Sequence, residues 1–152
     1  MDLRFKVSGR IARPIHDVFE AVANPDKLSG YFTTGGAKGR LEAGATVTWD
    51  FADFPGAFPV KVEEMDAPRR IVLRWEAADR DEAGRPYDTT VTMTFAPLDG
   101  DRTLVTISEE GWLETAEGVK NSYSNCGGWM QMLCSLKAYV EHGINLRDGM
   151  FK

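Results

Sequence analysis

The sequence predicts an α+β domain in which a curved antiparallel sheet wraps a long C-terminal helix. Three observations carry this expectation. Period-two apolar patterns separated by short turns fill the middle of the chain, and two short helical patterns follow the first strand. Apolar residues at three- and four-residue steps then dominate the last third.

Leu3, Phe5, Val7 and Ile11 alternate with Arg4, Lys6, Ser8 and Arg10, so the chain opens with a half-buried strand. Pro14 suits a first helical position, and Ile15, Val18, Phe19 and Val22 follow at helical spacing. Asn24-Pro25 restarts the chain as a second short helix through Tyr31. Gly35, Gly36, Gly39 and Gly44 are too irregularly spaced for a dinucleotide fingerprint and read as turn residues.

From Thr46 onward five further strands show an inward phase: Val47, Trp49, Phe51; Val60, Val62; Ile71, Leu73, Trp75; Val91, Met93, Phe95; Val105, Ile107. The turn-forming segments between them, 54–59, 66–68, 80–86 and 98–101, are too short for parallel crossovers, so six antiparallel strands are expected. After Gly118, Cys126, Trp129, Met130, Leu133, Leu136, Lys137 and Val140 predict one helix of about 20 residues, ended at His142-Gly143. Residues 1–152 are read as a single domain, since a chain of this length buries about 70% of its unfolded surface in one core.

Composition narrows the function. The formal charge of -5 comes from 23 acidic and 18 basic residues, and the basic ones form no stripe for a phosphate backbone. No apolar run reaches the roughly 20 residues of a membrane span, and the segment from Met1 to Ser8 alternates where a leader needs a continuous apolar stretch. A cytoplasmic location is the default expectation. Cys126 and Cys134, eight residues apart on one helix, are separated by a rise of about 12 Å, too far for a disulfide. His16 and His142 sit in no metal-ligand spacing, and no Gly-x-Ser-x-Gly elbow is present, so neither metal nor cofactor is expected.

Only the long helix can span the concave face of the sheet, and a sheet gripping one helix leaves a cleft where it gapes. The candidate ligand wall is Trp49, Phe51, Trp75, Met93 and Phe95 from the sheet with Trp129, Met130 and Leu133 from the helix; ordinary core is the alternative, and commoner, role of each. Phe54 and Phe58, with Phe51, suit a lid in the segment 51–59. Glu64 and Glu109 continue the inward phase at strand ends and are the candidate acid-base groups, with Tyr123 as a possible hydroxyl donor; surface positions are the bland alternative. Trp129, behind a glycine pair read as permitting close approach, is expected to anchor the helix.

The segments ARPIHDVFEAVANPDKLSGYF, GRLEAGATVTWDF and GGWMQMLCSLKAYVEHG resemble the family named for the activator of the ninety-kilodalton heat-shock protein's ATPase. That family lies in the START and birch-pollen-allergen-like superfamily, which includes polyketide cyclases. The resemblance implies the helix-grip fold with a cavity between helix and sheet, and places the family's Gly-Trp at Gly128 and Trp129. The stretch 121–125 departs from the His- and charge-containing sequence of relatives. Two function classes follow: a binding module for a small lipid-like or aromatic molecule, which is favoured, and a cofactor-free enzyme of cyclase or hydratase type. A co-chaperone-like protein partner is implied by the resemblance alone.

Overall fold

The alternation at the N-terminus builds β1 (Arg4–Ile11), whose even-numbered residues are exposed while Phe5, Val7 and Ile11 turn inward. The structure, a computed structural model, describes residues 2–152; Met1, where the leader test begins, lies outside them. Helix α1 (Ile15–Ala23) follows, with Pro14 one step earlier than expected, at the cap. Helix α2 (Pro25–Leu28) starts where Asn24 accepts from the Asp26 amide, and it stops short of the expected Tyr31.

The remaining elements are β2 (Gly36–Lys38), β3 (Thr46–Phe51), β4 (Phe54–Asp66), β5 (Arg70–Glu76), β6 (Asp88–Leu98), β7 (Arg102–Glu110) and α3 (Ala116–His142). All neighbours are antiparallel in the order β1-β7-β6-β5-β4-β3-β2, so the expected helix-grip architecture is present with seven strands in place of six. The additional strand is β2, three residues inside the glycine cluster and too short for any alternation to register.

Helix α3 runs 27 residues, longer than its apolar stripe suggests. Its start is set by Thr115, which accepts from the Gly118 amide at 3.0 Å, and its end by Gly143 in the left-handed region. Trp129, Met132, Leu133 and Leu136 enter the core. The glycine pair does not serve the approach: a Cβ on Gly127 or Gly128 would meet open space. The close contact is supplied from the other side, by Gly9 of β1, where a Cβ would lie 3.3 Å from Leu133 Cδ2.

Two departures in β4 shape the site. First, the segment 54–59, expected as a turn and lid, is strand: Phe51 pairs with Phe54 around a two-residue turn, and Phe58 pairs with Trp49. Second, the β4–β5 register shifts between Val62 and Glu64. An extra residue there reverses the side-chain parity of everything beyond it. Val60 and Val62 stay buried while Glu64, expected inward, emerges on the outer face beside Arg70 at 3.2 Å.

Candidate ligand-binding site

β4 and β5 pair only between Lys61–Arg74 and Asp66–Arg70. β5 nevertheless continues on β6 to Glu76, opposite Asp88, and β4 continues on β3 back to Phe54. The two strands therefore splay. The splayed half of β4 carries Pro55 and Pro59, whose missing N–H groups suit a stretch with a strand neighbour on one side only.

The splay opens a cleft of about 430 Å³. Phe51, Phe58 and Trp75 form its apolar surface, Asn125 of α3 reaches it from the helix, and Lys61, Arg74 and Asp88 stand among its charged residues. Phe58 lies between Phe51 at 5.7 Å and Trp75 at 5.9 Å between ring centroids, so three rings make one continuous wall. Lys61 Nζ is 3.1 Å and Arg74 Nε 3.9 Å from Asp88 Oδ2, and Glu76, also in the lining, supplies the second carboxylate that balances the two cations.

Behind this wall the groove between helix and sheet is filled. Trp49, Met93, Phe95, Trp129 and Leu133, all candidate ligand contacts, are closed core residues. Trp75 packs against Trp129 at 5.3 Å and against Trp49 at 6.0 Å. The other candidates lie outside: Phe54 is half-exposed against Phe151, and Met130, one step past Trp129, faces away from the sheet. Tyr123 is 75% exposed and brings no hydroxyl inward.

Glu109 is the exception among the candidate acid-base groups, because it is buried at 1% exposure. Its Oε2 accepts from Trp75 Nε1 at 2.9 Å and from Thr89 Oγ1 at 2.6 Å. Its Oε1 accepts from Trp129 Nε1 at 2.8 Å, and Asn125 Nδ2 lies 3.1 Å from each oxygen. A carboxylate offers about four lone-pair positions, so these donors occupy it fully. Trp75 and Asn125 stand between Glu109 and the cleft. The arrangement clamps β5, β6, β7 and α3 together and leaves no free lone pair for a substrate proton.

The C-terminal segment seals the groove beside the β3–β4 turn. Arg147 is buried, its guanidinium 4.6 Å above the Phe51 ring and its Nη1 donating to Gln131 Oε1 at 3.2 Å. Nη2 donates to Asp53 Oδ1 at 3.2 Å, and Nε approaches Asp53 Oδ2 to 3.0 Å as a charge contact without hydrogen-bond alignment.

Residues 12–141 match the family described as "Activator of Hsp90 ATPase homolog 1-like protein". The chain belongs to this family. No curated protein matches its sequence. Among solved structures, this chain is similar to protein SSP2350 from Staphylococcus saprophyticus, at 26% identity and TM-score 0.75, covering 97% of this chain and 96% of that one. It shares its fold with an Aha1 dimer from Colwellia psychrerythraea, at 20% identity and TM-score 0.73, with 92% and 97% covered. DynU16, from the dynemicin biosynthetic locus, matches at 22% identity and TM-score 0.77; 95% of this chain covers 49% of DynU16, about half its length.

Sequence reasoning missed Asn125, Thr89, Asp53 and Arg147. Asn125 was within reach, since it precedes Trp129 by four residues and so shares its helix face. Arg147 follows the helix in a segment without periodicity and carries no such signal. Among the described residues no group of three or more His, Cys, Asp or Glu is placed to hold a metal, and no helix is long and apolar enough to cross a membrane. Both thiols are free, Cys126 half-buried and Cys134 exposed.

Proposed function

We propose that this protein binds a small hydrophobic molecule, aromatic or lipid-like, in the cleft where β4 parts from β5. The observation that carries the reading is the wall of Phe51, Phe58 and Trp75 beside one amide from the helix. Binding needs an apolar surface with a few placed polar groups, and the cleft has both. The family membership and the fold shared with DynU16 support ligand binding or cyclase-like chemistry as the broad class.

Of the two, binding is favoured by the state of Glu109. A cofactor-free cyclase or hydratase needs an acid or base within reach of its substrate, and the one buried candidate spends its lone pairs on protein donors. A co-chaperone-like partner has support from the family description alone.

The test is titration with an environment-sensitive apolar dye, following its emission and the intrinsic tryptophan fluorescence. Saturable binding near one dye per chain, lost in Phe58→Asp and retained in Met130→Asp on the exposed helix face, is the expected result. Equal loss in both variants, or no saturable binding to the native protein, sinks the reading.

A further inference from the structure

The hydrogen bonds of Glu109 orient the Asn125 amide at the helix end of the cleft. A carboxylate only accepts, so the Asn125 side chain must turn its Nδ2 toward Glu109, 3.1 Å from both oxygens. Its Oδ1 is then directed away from the carboxylate, and among the described residues it receives no hydrogen bond. Asn125 lines the cleft, and with Nδ2 engaged on Glu109 the unpaired Oδ1 is the acceptor that its side chain can offer a ligand. The indole N–H of Trp75, the other polar group in the apolar wall, is likewise spent on Glu109. One Nδ2 N–H can aim between the two carboxylate oxygens, and at the helix end of the cleft Oδ1 is the acceptor left without a protein partner among the described residues.

The remaining charged groups of the lining are Lys61 and Arg74, which share Asp88, and a second carboxylate, Glu76. They compensate one another and set up no preference for a charged ligand. Flat faces of Phe51, Phe58 and Trp75 meanwhile favour a planar ring, which can stack on or tilt against them.

We propose that the cleft selects planar aromatic molecules carrying a hydrogen-bond donor, such as a phenolic hydroxyl or aryl N–H, on the edge that meets Asn125 Oδ1. Asn125 is the specificity-determining residue, and Glu109, which does not touch the ligand, is the positioning residue that fixes the amide. The inference rests on the binding reading above and adds the ligand's chemical class. A ligand with only acceptors at that edge would leave the Asn125 carbonyl desolvated and unpaired, a cost comparable to the hydrogen bond itself.

The experiment compares three probes of one shape by calorimetry and Trp fluorescence: 2-naphthol, which donates, and 2-methoxynaphthalene and 2-acetylnaphthalene, which only accept. Native protein is expected to bind 2-naphthol roughly three- to tenfold more tightly than either of the others, the worth of one neutral hydrogen bond. The less apolar compound then binds best, opposite to the order set by hydrophobicity. In Asn125→Leu, with folding checked by circular dichroism, the preference should vanish while the ring still binds. Saturable binding of all three to native protein with equal affinity overturns the donor rule and leaves the binding reading standing. A preference that survives in a folded Asn125→Leu also overturns it. Absence of saturable binding by any probe removes both. Should the variant fail to fold, the native three-probe series decides alone.

Discussion

Trp129 Nε1 donates to Glu109 Oε1 at 2.8 Å, tying the long helix to the floor of the sheet through a buried carboxylate served by neutral donors. Trp129 also packs between Trp75 at 5.3 Å and Phe32 at 5.6 Å. Replacing it with Ala removes the ring and one donor, so a stability loss of about 3 to 5 kcal/mol is expected in urea titration, as for large aromatic truncations in a core. Trp129→Phe keeps most of the packing and loses the donor, and should cost about 1 to 3 kcal/mol. Equal costs for the two variants would assign the effect to the hydrogen bond in place of the packing.

Glu109→Gln preserves shape but inserts an NH₂ among groups that are all donors. Each bond to a buried charged group is worth about 1.5 to 3 kcal/mol, so stability should fall by at least one such increment. Thermal melting measures it. An unchanged midpoint would show that the carboxylate's acceptors are dispensable, and would return Glu109 to candidacy as a functional group.

Tyr31 is fully buried, and its hydroxyl donates to the Ala21 carbonyl at 3.0 Å. Desolvation raises its pKa well above the usual tyrosine value, with the neighbouring Tyr139 adding to the effect. Below the unfolded pKa of about 10, the folded and unfolded states both hold the proton and the stability is intact. As pH rises above that value, the unfolded chain ionises first, so stability falls until the folded pKa is passed. Urea midpoints measured from pH 9 to 11 should drop more steeply in the native protein than in Tyr31→Phe, which has lost about 0.5 to 1.5 kcal/mol of hydrogen bonding. Parallel curves would place the alkaline sensitivity elsewhere.

Arg147 and Asp53 form a pair with side-chain exposures of 7% and 9%. Removing one partner of such a pair strands the other charge, at a cost of about 3 to 5 kcal/mol, whereas replacing both by apolar groups can be nearly neutral. Arg147→Met and Asp53→Leu should each destabilise, and the double variant should recover most of the loss in a thermodynamic cycle. Additive losses would mean that the two charges do not interact.

Alternation and helical spacing located the sheet and the long helix because each of those signals lies within one segment. Phe5, Val7 and Ile11 in β1, Met93 and Phe95 in β6, and Trp129, Leu133 and Leu136 in α3 all face the core their phase indicated. Phase failed where pairing intervened. Glu64 follows Val60 and Val62 at perfect two-residue spacing, yet the register shift against β5 turns it outward. Glu109 follows Val105 and Ile107 in the same manner, and the uninterrupted β6–β7 register keeps it inward.

The local sequence by itself determined the class of fold, the strand and helix faces and the aromatic content of the interior, since those depend on residue type and period alone. Tertiary structure decided which aromatics remain reachable: Phe51, Phe58 and Trp75 line a cleft because β4 parts from β5 there, while Trp49 and Trp129 are sealed behind them. It also decided that Glu109 is a clamp and that the Asn125 amide turns its Nδ2 toward it. Both outcomes require donors from β5, β6 and α3 to converge on one carboxylate. Hydrogen-bond valence is satisfied across the fold and not along the chain, so no period in the sequence records which lone pairs are taken.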